Sequence, residues 1–323
     1  MSKCYIVGGA GFIASHVVDA LLDQGNRVMV YDDFSSGKMQ HLERQGGRVE
    51  LSDSLDNPFL QDAVVYDFAA SVDISKSYVD PFDYVRKEIT LTLKVLEAAA
   101  QRHAERVIFI SSSGVYDRQD HGQYDELFHS IIPATPYAAS KMMGEVGIQM
   151  MSQVCKIPCL SVRPFNVYGP RQRVTGIDKP VVPTFILSIL TGKPITIEGK
   201  GDQRLDFIYV KDAARWLAGL AQVNPELLEG GAVNLGRGKN LSIKDLAKVL
   251  MRMTKKMVPI EHAPTRKWFF SNTQASISQM QRIFPIQWTS LEQGLQETIQ
   301  YYQAQLEAQF REVEEGGQLN GRK

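Results

Sequence analysis

Short apolar runs alternate with amphipathic segments of helical length along the first half of the chain. KCYIV leads into a glycine-containing turn, then into FIASHVVDALLDQ with its apolar residues on one helical face, then into the apolar run RVMVY. The same alternation predicts a strand in AVVYDFAAS (63–71), a helix over 82–103, a strand in ERVIFISSS (105–113) and a helix opening at TPYAASK. Apolar strands separated by helices predict a parallel sheet covered on both faces, an α/β, doubly wound architecture. After Cys155 comes the strand PCLSVRPFNVYGP, then a region richer in Pro and Gly with strand-like ITIEGKGDQRLDFIYV (195–210). A helix from Lys211 to Ala221, a strand GAVNLG, a helix from Ser242 to Met253 and a long helix from Ser290 complete the pattern.

This reading divides the chain into a dinucleotide-binding domain over 1–165, which also receives later segments near 205–235, and a smaller mixed α/β substrate domain over 166–310. The polar, glycine-containing stretch 311–323 is expected to be a flexible tail.

Composition changes the picture mainly by what it excludes. Lys plus Arg equals Asp plus Glu at 36 each, so charge gives no argument for a nucleic acid or an anionic membrane as partner. No apolar run reaches the about 18 residues of a membrane span, and with the first core strand opening at Lys3 no signal peptide is expected. A cytoplasmic location is expected. Cys155 and Cys159 lack the companions of a zinc site and are read as buried thiols, and no metal site is expected.

Two clusters carry chemistry. Gly8, Gly11 and Ala14 form GxxGxxA between a strand and a helix. Glycine there permits positive φ and close approach to a diphosphate, and the helix N-terminus offers free amides. Asp32 closes the next strand, where an acid bonds ribose hydroxyls. With Asp33 beside it and no adjacent arginine, NAD is favoured over NADP. The expected domain is therefore of Rossmann type. The second cluster is Ser112, Tyr137 and Lys141. At i and i+4 the phenol and the ammonium share one helical face. A tyrosine with an ordinary pKa of about 10 becomes a base only when positive charge stabilises its phenolate. Lys141 supplies one such charge and an oxidised nicotinamide a second, and the Ser112 hydroxyl can share the proton in flight.

In GGAGFIASH, VYDDFSSG, FAAS, ISSSGVY, PYAASK, RPFNVYGPRQ, DFIYVKD and VNLGRG, ordered as they are from residue 4 to about 305, the chain resembles extended short-chain dehydrogenases/reductases of the nucleotide-sugar epimerase and dehydratase type. The resemblance implies NAD, a nucleotide-diphosphate sugar as substrate and a transient keto sugar. It puts the NAD phosphates on Gly8, Phe12 and Ile13, the adenosine ribose on Asp32, and further ribose or phosphate contacts on Ser35, Ser36 and Gly37. Adenine would meet Asp53 and Ser54, Ala69, Ala70 and Ser71 would line the cofactor's path, Lys141 would bind the nicotinamide ribose and Phe165 would approach the nicotinamide. On the substrate side it implies Ser112, Ser113 and Asn166, with Arg204, His262 and Arg266 as weaker candidates. It also implies a homodimer through the helices at 82–103 and 137–153.

Family dehydratases and decarboxylases carry carboxylates just after the catalytic hydroxyl, whereas this chain reads Ser112-Ser113-Gly114. The expected reaction is therefore epimerisation, at C4. Tyr137 takes the C4 hydroxyl proton while hydride leaves C4 for NAD, the keto sugar turns over, hydride returns to the opposite face of C4 and Tyr137 gives the proton back to the oxygen. A dehydratase or decarboxylase using Glu88 or Asp67, and a non-catalytic NAD-binding sensor of the same fold, are the alternatives. Relative to the family, Leu205 stands where an arginine is usual, Glu198 where an aromatic is common, Asp67 in place of a histidine and Glu88 in place of an asparagine. In an extended strand Arg204 faces opposite to position 205, so it replaces the missing charge only if a bulge re-aims it. Arg163, Arg171 and Arg173 read equally well as ligand contacts or as solvated loop charges.

Overall fold

The first strand, β1 (Lys3–Val7), buries every residue after Lys3. Cys4 and Ile6 pack into one hydrophobic layer, Tyr5 and Val7 into another, the period-2 signature of a central strand covered on both faces. The computed structural model describes residues 1–43, 49–71, 74–116, 122–127, 131–175, 178–265 and 272–320.

From β1 the chain runs through α1 (Phe12–Asp23), β2 (Arg27–Tyr31), α2 (Gln40–Glu43), β3 (Val49–Ser52), β4 (Ala63–Asp67), α3 (Ile74–Ser77), α4 (Pro81–Gln101) and β5 (Arg106–Ile110). It continues with α5 (Pro136–Met150), β6 (Cys159–Pro164), β7 (Asn166–Tyr168), α6 (Val181–Leu190), β8 (Ile195–Glu198), β9 (Arg204–Tyr209) and α7 (Val210–Gly219). Last come β10 (Glu229–Leu235), β11 (Asn240–Ser242), α8 (Ile243–Thr254), β12 (Ile260–Ala263), α9 (Ser278–Ile283) and α10 (Leu291–Asn320). α10 extends through most of the stretch expected as a flexible tail, whose Glu, Gln and Arg are good helix formers.

Seven parallel strands form the main sheet in the order β10-β6-β5-β4-β1-β2-β3. The chain steps outward from β1 to β3, then returns to the other side of β1 at β4. That reversal opens a crevice at the carboxyl ends of β1 and β4, where Val7 lies opposite both Tyr31 and Asp67. On one face α1 and α7 bring Val17, Leu21, Trp216 and Leu217 to the sheet. On the other, α4 and α5 bring Val95, Leu96 and Ile148 against Phe109, each large apolar side chain contributing about 1.5–3 kcal/mol on full burial. Gly144 leaves no room for a Cβ against the Phe109 ring, which sets how closely α5 approaches β5.

Among the described residues two smaller sheets, β11-β9-β7 and β12-β8, accompany the main sheet. Among the described residues no helix is long and apolar enough to cross a membrane, and no group of three or more His, Cys, Asp or Glu is placed to hold a metal ion. Cys159 is buried as expected, but Cys155 is exposed. It ends the wide helical turn Met151–Cys155 that follows α5, where the chain leaves the sheet face.

Candidate active site

The dinucleotide signature folds into a cradle at the crevice. Gly8 takes φ +75° and donates its N–H to Tyr31 O at 2.8 Å. A Cβ there would meet Phe68 C and Ala69 N, both at 3.1 Å. Gly11 precedes α1 without a side-chain cap, and the first turn carries no acid, so the amides of Phe12 and Ile13 are left for an anion. Asp32 accepts from Ala10 N through Oδ2 and from Phe34 N through Oδ1, each at 2.8 Å, and each oxygen keeps a lone pair for a ribose hydroxyl. A Cβ on Gly37 would lie 2.9 Å from both Asp32 oxygens, so only glycine leaves that carboxylate open.

The other cofactor candidates sit around this frame. Asp33 accepts from Ser35 N at 2.9 Å and Ser35 Oγ at 2.6 Å, bonds that hold its carboxyl below the usual range. Ser36 is exposed beside them. Asp53 and Ser54 follow β3, and Ser54 O accepts from Tyr5 Oη at 2.5 Å. Ala69, Ala70 and Ser71 leave β4 half-buried. A glycine turn, an uncapped helix start and a half-buried acid at one crevice fit a dinucleotide.

The candidates Ser112, Tyr137 and Lys141 lie just after β5 and on α5. Thr135 caps α5 by accepting from Ala138 N at 3.0 Å, with Pro136 at the first helical position. Tyr137 therefore stands in the first turn and Lys141 one turn later. Lys141 is 5% exposed, donates to Ile110 O at 2.8 Å and lies 4.9 Å from the Phe109 ring centroid. Burial lowers its pKa, opposed by Asp67, Glu88 and Glu145. Burial pushes the Tyr137 phenol up to about 12, opposed by the Ser112 hydroxyl and reinforced by the Glu88 carboxylate. Ser112 leaves β5 extended and accepts from Gly114 N at 3.0 Å, with Ser113 half-buried behind it.

A buried network beneath this set escaped the sequence reading. Ser111 Oγ donates to Glu145 Oε1 at 2.5 Å, and Arg163 binds Glu145 from Nε at 2.9 Å and from Nη2 at 2.7 Å. Arg163 Nη1 also donates to Tyr116 Oη at 2.9 Å, whose hydroxyl donates to Asn234 Oδ1 at 2.7 Å. Asn234 N in turn donates to Glu126 Oε1 at 2.6 Å. Glu145 continues the Tyr137–Lys141 face at the next i+4 position, a signal that was available.

Of the three arginines, two are not solvated. Arg163 is 2% exposed in the network, and Arg171 is 7% exposed with Nη2 2.8 Å from Asp19 on α1. Arg173 is exposed and bonds Thr175. Phe165 is buried against Tyr116 and Tyr124, and Asn166 donates to Asp206 O at 3.2 Å. Asp206 itself accepts from Arg237 N, Gly238 N and Ala275 N at 2.8–3.0 Å.

On the remaining substrate side, β9 pairs with β11 in unbroken register over Arg204–Asp206. No bulge re-aims Arg204, which is exposed and donates to Asn240 Oδ1 at 2.9 Å, while Leu205 is buried. His262 is exposed on β12 with Nδ1 2.6 Å from Gly199 O. Arg266 lies outside the described residues.

Comparisons with known proteins span nearly the whole chain. The UDP-N-acetyl-alpha-D-glucosaminuronate decarboxylase of Bacillus cytotoxicus is 29% identical, covering 97% of this chain and 98% of its own. UDP-N-acetylglucosamine 4-epimerase from Methanobrevibacter ruminantium, solved with UDP-N-acetylmuramic acid, superposes with a TM-score of 0.86 at 30% identity over 94% of this chain and 99% of that one. UDP-glucuronic acid 4-epimerase from Bacillus cereus, solved with UDP-glucuronic acid and NAD, gives 0.84 at 28% over 94% and 99%. The sequence model of the NAD dependent epimerase/dehydratase family matches residues 4–236. The chain that carries the Gly8 cradle, Asp32 and the Tyr137–Lys141 face thus belongs to the NAD dependent epimerase/dehydratase family, with NAD as its cofactor.

Proposed function

We propose that this protein epimerises a nucleotide-diphosphate sugar at C4. The observation that carries the reading is Ser112 just after β5, with Tyr137 and Lys141 one turn apart on α5, and no carboxylate at 113 or 114. NAD, when bound, supplies reversible acceptance of hydride. Lys141, fixed on Ile110 O, favours the Tyr137 phenolate, which takes the sugar hydroxyl proton and later returns it. Ser112 bridges the same hydroxyl. Phe12 and Ile13 amides hold the cofactor diphosphate, and Asp32 its adenosine ribose. Ser35, Ser36 and Gly37, then Asp53 and Ser54, and Ala69 to Ser71 surround the rest of the cofactor in this reading, and Asn166 meets the sugar diphosphate. We read the exposed apolar residues Phe82 and Leu93 on α4 and Val146 and Met150 on α5 as a homodimer contact.

Decarboxylation of a nucleotide-linked uronic acid is the second reading. It is favoured by the similarity to the Bacillus cytotoxicus decarboxylase over nearly the whole chain and by two carboxylates, Asp67 and Glu88, that act electrostatically on Lys141. Mass spectrometry of the protein incubated with NAD and UDP-, GDP-, CDP- and dTDP-sugars, uronic acids included, separates the readings. A new isomer of unchanged mass, absent with Tyr137→Phe, supports epimerisation. Loss of carbon dioxide or water refutes it in favour of the related reactions.

A further inference from the structure

Ser112 sits on a short turn whose two ends are tied to the same buried ion pair. At the upstream end Ser111 Oγ donates to Glu145 Oε1 at 2.5 Å, and Ser111 N donates to Val162 O on β6 at 2.7 Å. The turn then closes on itself. Gly114 N donates to Ser112 Oγ at 3.0 Å, Val115 N to Ser112 O at 3.2 Å and Tyr116 N to Ser113 O at 3.3 Å. At the downstream end Tyr116 Oη accepts from Arg163 Nη1 at 2.9 Å and donates at 2.7 Å to Asn234 Oδ1, on the β10 residue opposite Arg163. Arg163 in turn grips both oxygens of Glu145 through Nε and Nη2. The bonds form a ring from Ser111 through Glu145 and Arg163 to Tyr116, then back along the turn through Ser112. Ser111, Tyr116, Glu145 and Arg163 are all buried.

This ring also meets the helix that carries the base. Glu145 continues the α5 face of Tyr137 and Lys141. Lys141 Nζ donates to Ile110 O, the residue before Ser111, so neighbouring positions of one helical face hold neighbouring residues at the end of β5. On the turn itself, a Cβ on Gly114 would lie 3.8 Å from that of Ala138, the residue after Tyr137. Charge neutralisation needs only the bidentate Glu145–Arg163 pair. The further bonds to Ser111 and Tyr116 neutralise nothing, yet each lands on one end of the Ser112 turn.

We propose that Glu145, Arg163 and Tyr116 are positioning residues for the reaction: the ion pair staples both ends of the Ser112 turn and fixes the serine hydroxyl relative to Tyr137 and Lys141. The role rests on Ser112 bridging the reacting hydroxyl, as in the proposed epimerisation. A displacement of about 1 Å in a reacting group costs up to about a hundred-fold in rate. A four-residue turn keeps such precision only when both ends are anchored in a packed interior, where an unmade bond is costly.

The test cuts one end of the staple at a time. Ser111→Ala deletes the upstream hydroxyl and Tyr116→Phe the downstream one, and in both the Glu145–Arg163 pair keeps its bonds. Turnover is followed by mass spectrometry on UDP-glucose, UDP-N-acetylglucosamine and UDP-glucuronic acid with NAD, with circular dichroism confirming that each variant is folded. Each substitution is expected to lower kcat by about ten-fold with KM and NAD affinity unchanged. In a Ser112→Ala background neither is expected to lower it further, because both act through that hydroxyl. Independently of any substrate, exchange of the Gly114 amide in glycine-labelled protein should accelerate by about ten-fold in both variants. The same loss of kcat with and without Ser112, or wild-type Gly114 exchange in both variants, overturns the proposal. Should Tyr116→Phe fail to fold, Ser111→Ala decides alone. Ser112→Ala with wild-type kcat would instead refute the reading of Ser112 itself, a result told apart from failure of the staple by the Gly114 exchange.

Discussion

Glu145 holds Arg163 through both carboxylate oxygens, Nε to Oε1 at 2.9 Å and Nη2 to Oε2 at 2.7 Å, with the two side chains 6% and 3% exposed. The pair joins α5, which carries Tyr137 and Lys141, to β6, and Ser111 adds the end of β5. Removing one partner of a buried ion pair strands the other charge out of water. Arg163→Met is expected to lower the unfolding free energy by about 3–5 kcal/mol, read from urea denaturation. Pairing it with Glu145→Leu should restore much of that loss, because no charge is then left alone. Equal destabilisation by the single and double variants would show that packing, rather than charge, is what Arg163 supplies.

Gly37 and Asp32 give a prediction on the cofactor side. A Cβ at 37 would fall 2.9 Å from both carboxylate oxygens and 2.7 Å from Ala10 Cβ. The Asp32 carboxylate must then shift from the Ala10 and Phe34 amides that aim it. Gly37→Ala is expected to weaken NAD binding by about ten-fold, or about 1.4 kcal/mol, with little change in melting temperature because the site is partly exposed. Calorimetric titration with NAD checks it, and wild-type affinity would show that Asp32 tolerates the displacement.

The cradle and the Tyr137–Lys141 face were legible because their information is local: a strand-turn-helix period and an i+4 spacing. Strand alternation likewise anticipated that Arg204 and Leu205 face opposite ways, and the unbroken β9–β11 register leaves them so. What stayed hidden depends on distant segments meeting. The link from Arg163 through Tyr116 to Asn234 and Glu126 joins parts of the chain far apart in sequence. Arg171 read equally well as a loop charge, since only packing against α1 shows Asp19 beside it. Cys155 was misread as buried because hydrophobic character alone does not report where α5 departs from the sheet.

Helices α4 and α5 expose Phe82 at 81%, Val146 at 60%, and Leu93 and Met150 at 47% each. Apolar side chains on two helices that pack together on one face of the sheet are costly in water and favour a second copy of the same surface. Light scattering coupled to size exclusion should give twice the 36.2 kDa chain mass. Val146→Glu should shift the population toward the monomer while the far-ultraviolet circular dichroism is retained. A monomeric wild type at micromolar concentration would show that these residues serve another purpose.

Asp67 ties stability to pH. Burial raises its carboxyl from an ordinary 3.8 to about 6, so the folded state binds the proton more tightly than the unfolded state. Its stabilising contribution is fully present below pH 3.8 and is lost as pH rises through about 6. A shift of about two units corresponds to about 3 kcal/mol. Asp67→Asn keeps an acceptor for the Ala69 amide and has no charge to desolvate. The variant should therefore be more stable than wild type above about pH 6, by up to about 3 kcal/mol. That advantage should shrink toward zero near pH 4, in urea denaturation run across the series. The Lys141 ammonium is the opposing influence, because an ionised Asp67 lowers the cost of burying it. An advantage independent of pH would mean that Asp67 does not titrate in this window. A variant less stable at high pH would mean that attraction to Lys141 outweighs the burial of the carboxylate.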